Sequence, residues 1–220
     1  MGTRNVTIVV SGGKNVVAQY GQWDGYPEGQ GKTVLRFARA RLRKPAGRAA
    51  FVDRLARCSF VSDDEVKARY AAEGIGEFMN MTQAANFKQK YPTFDRDMAA
   101  EVLEHVWSAS EPISLRDESD FVRDSLMCEW AYVLDLDKAT FEVYRGFNTE
   151  PVPKGERFAD TPRREREYSG ENQYFPVKHW QTWSLDALPT EKAFIDAYTK
   201  WSDERGAAEE AEALQPSGKD

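Results

Sequence analysis

Two stretches carry an apolar period of two around a short turn, and they constrain the fold more than any other feature. CEWAYVLDLDKATFEVYRGF, residues 128–147, reads as two strands around Asp137-Lys138. Trp130, Tyr132, Leu134 and Leu136 fall on one face of the first strand, and Phe141 and Val143 share a face of the second. Near the N-terminus, NVTIVV and NVVAQYGQW are rich in Val and Ile and are separated by SGGK, a strong hairpin turn. Residues 5–23 and 129–146 are therefore expected to form two antiparallel hairpins of one sheet. FPVKHWQTWSL reads as a further strand.

Elsewhere the period is helical. TVLRFARARLRK puts Val34, Phe37 and Ala38 on one side and arginines on the other, and Pro45 and Gly47 are expected to end it. Residues 48–128 read as mainly helical. Ser62 to Glu65 form a capping box, Gly74 and Gly76 stop the helix behind it, and FDRDMAAEVLEHVWSA spaces Met98, Val102, His105 and Val106 as one helix. His105 is expected to be a half-buried packing residue. Residues 149–175 read as a long polar loop, with RREREYSGEN as mixed-charge surface. LPTEKAFIDAYTKWSDE is a closing helix capped by Thr190, with Phe194, Ala197, Tyr198 and Trp201 inward. The expected fold class is α+β: a largely antiparallel sheet of at least five strands, helices packed on it, and a helical middle section. Residues 1–205 form one domain, with 48–128 as its helical insert and 206–220 as a flexible acidic tail.

A chain of 220 residues suits one such domain. No apolar run approaches the roughly 20 residues of a membrane span, so no membrane association is expected. MGTRNVTIVV lacks the h-region of a signal peptide, and Val6 stands where a myristoylation motif wants Ser or Thr. The sequons at Asn5 and Asn80 are then idle. Cys58 and Cys128 lie far apart and read as buried free thiols in a reducing, cytoplasmic compartment. With only His105 and His179 as histidines, no metal site is expected, and no cofactor fingerprint is present. Charge is uneven. Residues 32–57 hold nine Lys or Arg against Asp53, a local +8 within a net −6, which leaves −14 for the rest. That segment reads first as a solvated helix face. Its sharper reading is an anion- or partner-binding face through Arg36, Arg39 and Arg43. The acidic remainder disfavours nucleic acid as the partner.

The other distinctive stretch is QYGQWDGYPEGQGKT, residues 19–33. It ends in GKT, but Gly25 and Gly31 have five residues between them where a phosphate loop needs four, and Pro27 removes a donor. The glycines and Pro27 suit a corner steering a strand into a helix. Gln22, Trp23, Asp24 and Tyr26 are not explained by a turn and mark a candidate ligand pocket. Arg4, on the same hairpin, is the expected ion-pair partner of Asp24. No catalytic set stands out, since no Gly-x-Ser-x-Gly elbow exists and Asp135, Asp137 and Glu142 read as solvated carboxylates near a turn.

MGTRNVTIVV followed by VAQYGQWDGYPEGQG resembles a family of mostly uncharacterised proteins in phages, bacteria and fungi. Its members open with Met-Gly-Thr-Arg and carry Tyr-x-Gln-x-Asp-Gly-Tyr-Pro-x-Gly-x-Gly. The likeness is specific over residues 1–33 and looser at YVLDLDKATFEVYRGF, and it implies no assigned reaction. More distantly, a strand starting at residue 2 resembles the layout of N-terminal-nucleophile hydrolases. Those enzymes need Cys, Ser or Thr first, and this chain has Gly2. Two function classes follow. One is a non-catalytic binding protein, such as a phage accessory factor acting on a host component, whose partner is a host or phage protein or a small polar ligand. The other is a small hydrolase or transferase acting on an amide or nucleotide-like ligand at Arg4, Gln22, Asp24 and Tyr26.

Overall fold

The fold is taken from a computed structural model that describes residues 2–76, 78–164 and 173–213. Most of RREREYSGEN and the end of the acidic tail, residues 165–172 and 214–220, lie outside the described residues.

Strand β1 (Asn5–Ser11) and β2 (Lys14–Gly21) form the first expected hairpin, antiparallel from Asn5↔Gly21 to Ser11↔Lys14. Its two turn residues, Gly12 and Gly13, have φ of 61° and 71°, the left-handed pair a two-residue hairpin turn requires. Two wide helical turns, Pro27–Gly31 and Ala38–Leu42, flank helix α1 (Lys32–Phe37). Helix α2 (Pro45–Leu55) begins at Pro45. The first helical run does end before Pro45, at Leu42, as expected; the proline also opens a second helix, because it lacks the N–H that a first-turn residue leaves unpaired.

Strand β3 (Cys58–Phe60) leads to α3 (Asp63–Ala72) and α4 (Met81–Lys90). Ser62 and Glu65 cap α3 reciprocally, as the sequence indicates. Asn80 and Gln83 do the same for α4, so the Asn80 side chain is a cap. These helices share a small core of Val66, Ile75, Phe87 and Phe94, with Tyr70 stacked on Phe87 at 4.5 Å. Helix α5 (Val102–Ser108) is shorter than its periodicity suggests, because Ala99 takes φ 42° and a tight turn occupies Ala99–Glu101. His105 is half-buried. Strand β4 (Ile113–Leu115) pairs in parallel with β3 as a separate two-stranded sheet.

Strands β5 (Trp130–Asp135), β6 (Thr140–Arg145) and β7 (Lys178–Ser184) complete the main sheet, in the order β2-β1-β5-β6-β7. The class is α+β. Three neighbouring pairs are antiparallel, and the two hairpins join through one parallel pair, β1 beside β5, from Asn5↔Trp130 to Val10↔Asp135. That register brings the two hairpin turns together. Asp137 accepts the Gly12 and Gly13 N–H groups at 2.9 and 2.8 Å, which hold its carboxyl below the usual range.

Both faces of the central strands β1, β5 and β6 are buried. One carries Val6, Ile8, Val10, Ala131, Val133 and Tyr144, packed with Val122, Phe158 and Val177. The other carries Val9, Tyr132, Leu134, Phe141 and Val143, all at most marginally exposed. Its aromatic layer continues from Tyr132 through Phe141 to Trp183. The chain divides into two compact units, residues 1–188 and residues 189 onward. The second contains α6 (Glu191–Ala213), where Thr190 Oγ1 accepts the Ala193 N–H at 3.1 Å. Among the described residues, no helix is long and apolar enough to cross a membrane.

Candidate functional site

At the end of β2 the chain turns into a corner held by several backbone hydrogen bonds. Gln22 N–H donates to Arg96 O at 3.0 Å, and Gly25 N–H to Thr3 O at 2.8 Å. Gln30 N–H donates to Asp24 O at 2.8 Å, while Gly29 and Gly31 donate to Tyr26 O. From the sheet below, the Tyr132 hydroxyl donates to Gly25 O at 2.7 Å. Asp24 takes φ 54°, and a Cβ on residue 29 would lie 2.1 Å from its carbonyl oxygen, so only glycine fits there. The Gly25, Gly29, Gln30 and Gly31 N–H groups are thus bonded inside the corner, where a phosphate loop would leave such groups for its ligand.

Two side chains of the corner face outward. Trp23 is 47% exposed and donates its indole N–H to Asp97 Oδ1 at 3.0 Å. Tyr26 is 37% exposed and donates to Asp24 Oδ1 at 3.3 Å; the Asp24 charge and this bond push its phenol up. Gln22 accepts from the Tyr20 hydroxyl at 2.6 Å.

Arg4 does not join them. The expected Arg4–Asp24 ion pair is not formed. Arg4 continues the alternation of Val6 and Ile8, so its side chain leaves on the face opposite Tyr132 and the corner. There its guanidinium lies 3.8 Å from Glu129 Oε1 and donates to Met127 Sδ at 3.1 Å. The candidate set therefore separates into an aromatic and acidic corner and an arginine elsewhere.

In the basic segment, several cations hold structure together. Arg41 and Arg54 both lie over the Trp107 ring, at 4.9 and 4.2 Å, and Arg41 also pairs with Glu104 at 3.4 Å. Arg54 donates to Trp107 O and Ala50 O, and Arg57 to Ser110 O. Arg48 bridges Leu42 O and Asp186. Of the three arginines proposed as an anion face, Arg39 donates to Leu188 O at 3.3 Å, and Arg36 and Arg43 are exposed.

The expectation that the carboxylates near the second turn are solvated fails for two of them. Asp135 is 2% exposed and Glu142 is buried, and both are bonded to Arg157 from the long loop. Glu142 also accepts from Thr140 Oγ1 at 2.9 Å and the Tyr144 hydroxyl at 2.5 Å. Burial alone would push the Glu142 carboxyl up; the Arg157, Tyr144 and Thr140 bonds outweigh it and hold it at about 2. Both acids occupy the alternating positions that continue Ala131, Val133 and Tyr144 inward, a signal the sequence did contain. Arg157, within a polar loop, gave none.

No protein-family model matches this chain, and neither a curated protein nor a solved structure matches it. The chemistry must be read from the residues alone. Burial pushes the Cys58 thiol up to about 11 and the Cys128 thiol well above its ordinary value, so neither is a ready thiolate near neutral pH. What the corner offers is shape: two outward aromatic rings and a carboxylate on a backbone fixed from both sides.

Proposed function

We propose that the chain is a non-catalytic binding protein whose recognition surface is the 19–33 corner. The supporting observation is the exposure of Trp23 and Tyr26 on a loop fixed by the Tyr132–Gly25, Gly25–Thr3 and Gln30–Asp24 hydrogen bonds. A rigid loop loses little conformational entropy when a partner docks, and Trp and Tyr are the side chains most enriched in binding hot spots. The partner is a protein surface or a small polar ligand with a donor for Asp24. The motif likeness to phage proteins suits an accessory factor acting on a host component.

The test is a paired variant. Trp23→Ala with Tyr26→Ala should remove the molecules that co-purify with the wild-type chain, identified by mass spectrometry, while circular dichroism stays unchanged. Asp24→Asn keeps the left-handed backbone, which Asn tolerates, and isolates the charge. Retention of every co-purifying molecule by both variants would sink the reading. Substrate turnover lost in Asp24→Asn would favour the hydrolase or transferase class instead.

A further inference from the structure

A second feature lies away from the corner. Glu118, Asp120, Phe121 and Arg123, together with Pro162, Arg163 and Arg164, line a cleft of about 660 Å³, within the size range of small-molecule sites. Its charges are unequally compensated. Arg123 donates to Pro162 O at 2.8 Å and pairs with Asp120 at 3.2 Å. Glu118 is held by Arg116 at 3.4 Å, which limits its repulsion of an incoming anion. Arg164 reaches Asp124 only at 3.7 Å, longer than a charge-assisted hydrogen bond. Arg163 donates to the neutral carboxamide of Gln173 and lies 5.8 Å from the Phe175 ring. Among the described residues it has no carboxylate partner. Two consecutive guanidinium groups, one loosely paired and one with no carboxylate partner among the described residues, thus border the Phe121 ring, while the two acids of the lining, Glu118 and Asp120, are paired to Arg116 and Arg123. Phe121 is fixed there by edge-on contact with Tyr20 at 5.0 Å.

A guanidinium fork matches a carboxylate or phosphate, and a flat apolar body suits the Phe121 and Pro162 floor. We propose that this cleft binds a small organic oxyanion, an aryl phosphate or aryl carboxylate, with Arg163 and Arg164 taking the anionic group and the ring lying against Phe121. The inference is independent of the corner, since it uses none of residues 19–33 as ligands.

The probe is phenyl phosphate, titrated into the full chain by calorimetry and by thermal shift, with inorganic phosphate in parallel. Phenyl phosphate should bind saturably and about tenfold more tightly than inorganic phosphate, because only it has a ring to bury. Arg163→Gln should weaken phenyl phosphate about tenfold and leave the unliganded melting temperature unchanged. Phe121→Leu should remove the preference for phenyl phosphate while retaining the response to inorganic phosphate. Absence of saturable binding at about 10 mM, equal affinity for the two probes, or an unaltered titration in Arg163→Gln would each overturn the proposal.

Discussion

The Tyr132 hydroxyl donates to the Gly25 carbonyl at 2.7 Å, a buried hydrogen bond across 107 residues that ties the main sheet to the 19–33 corner. Tyr132→Phe keeps the ring and its stacking on Phe141 but strands a buried carbonyl. It should destabilise the fold by about 1–3 kcal/mol in a urea titration. It should also raise amide exchange at Gly25 and Gln30, whose N–H groups hold the corner. Unchanged exchange there would mean that the corner is fixed without the sheet.

The Asp135–Arg157–Glu142 network makes stability depend on pH in a defined direction. The folded Glu142 carboxyl is held at about 2, against 4.5 when unfolded. Its contribution is therefore complete above about pH 5 and disappears as pH falls toward about 2, with a total of roughly 3 kcal/mol. Unfolding free energies measured at intervals across that window should fall steeply for the wild-type chain and less steeply for Glu142→Gln. Equal slopes would show that Glu142 does not carry the linkage. Removing Arg157 instead should cost about 3–5 kcal/mol, because two buried carboxylates lose their cation.

The strands, the two hairpin turns and the Ser62 cap were legible because each is a local pattern of a few residues. The parallel pairing of β1 with β5 was not, since no local signal links Asn5 to Trp130 across the helical middle section. Pro45 was ambiguous in principle: the same fixed φ ends one helix and begins another. At the corner, the sequence singled out Trp23 and Tyr26 through residue types a turn does not need. It misassigned Arg4 because proximity along a hairpin does not say which face a side chain takes. The alternation from Arg4 to Val6 to Ile8 was the available clue, and it points away from Asp24.

The arginines around Trp107 give a test of whether the basic segment is structural. Arg54 covers the ring at 4.2 Å and donates to Trp107 O at 2.7 Å and Ala50 O at 2.8 Å. Arg54→Lys retains the charge but loses the planar fork, so it should cost about 1–2 kcal/mol in thermal unfolding. Arg43→Lys, at an exposed position, should change stability by less than about 0.5 kcal/mol. Equal small effects would assign the whole segment to a solvated face.

Thr7 provides the sharpest test of the buried polar layer. It lies at 0% exposure on β1, opposite Tyr132 in the parallel pair, and among the described residues its Oγ1 has no hydrogen-bond partner. A buried hydroxyl without a partner destabilises the fold relative to an apolar group of the same shape. Thr7→Val replaces the hydroxyl with a methyl group, keeps the branched side chain a strand favours, and leaves the Asn5–Gly21 hydrogen bond between β1 and β2 untouched. The variant should therefore be more stable than the wild type by about 1 kcal/mol, seen as a rise in the urea midpoint at unchanged slope. A fall in the midpoint would show instead that a bound water satisfies the hydroxyl, since replacing a bonded hydroxyl leaves its partner unpaired.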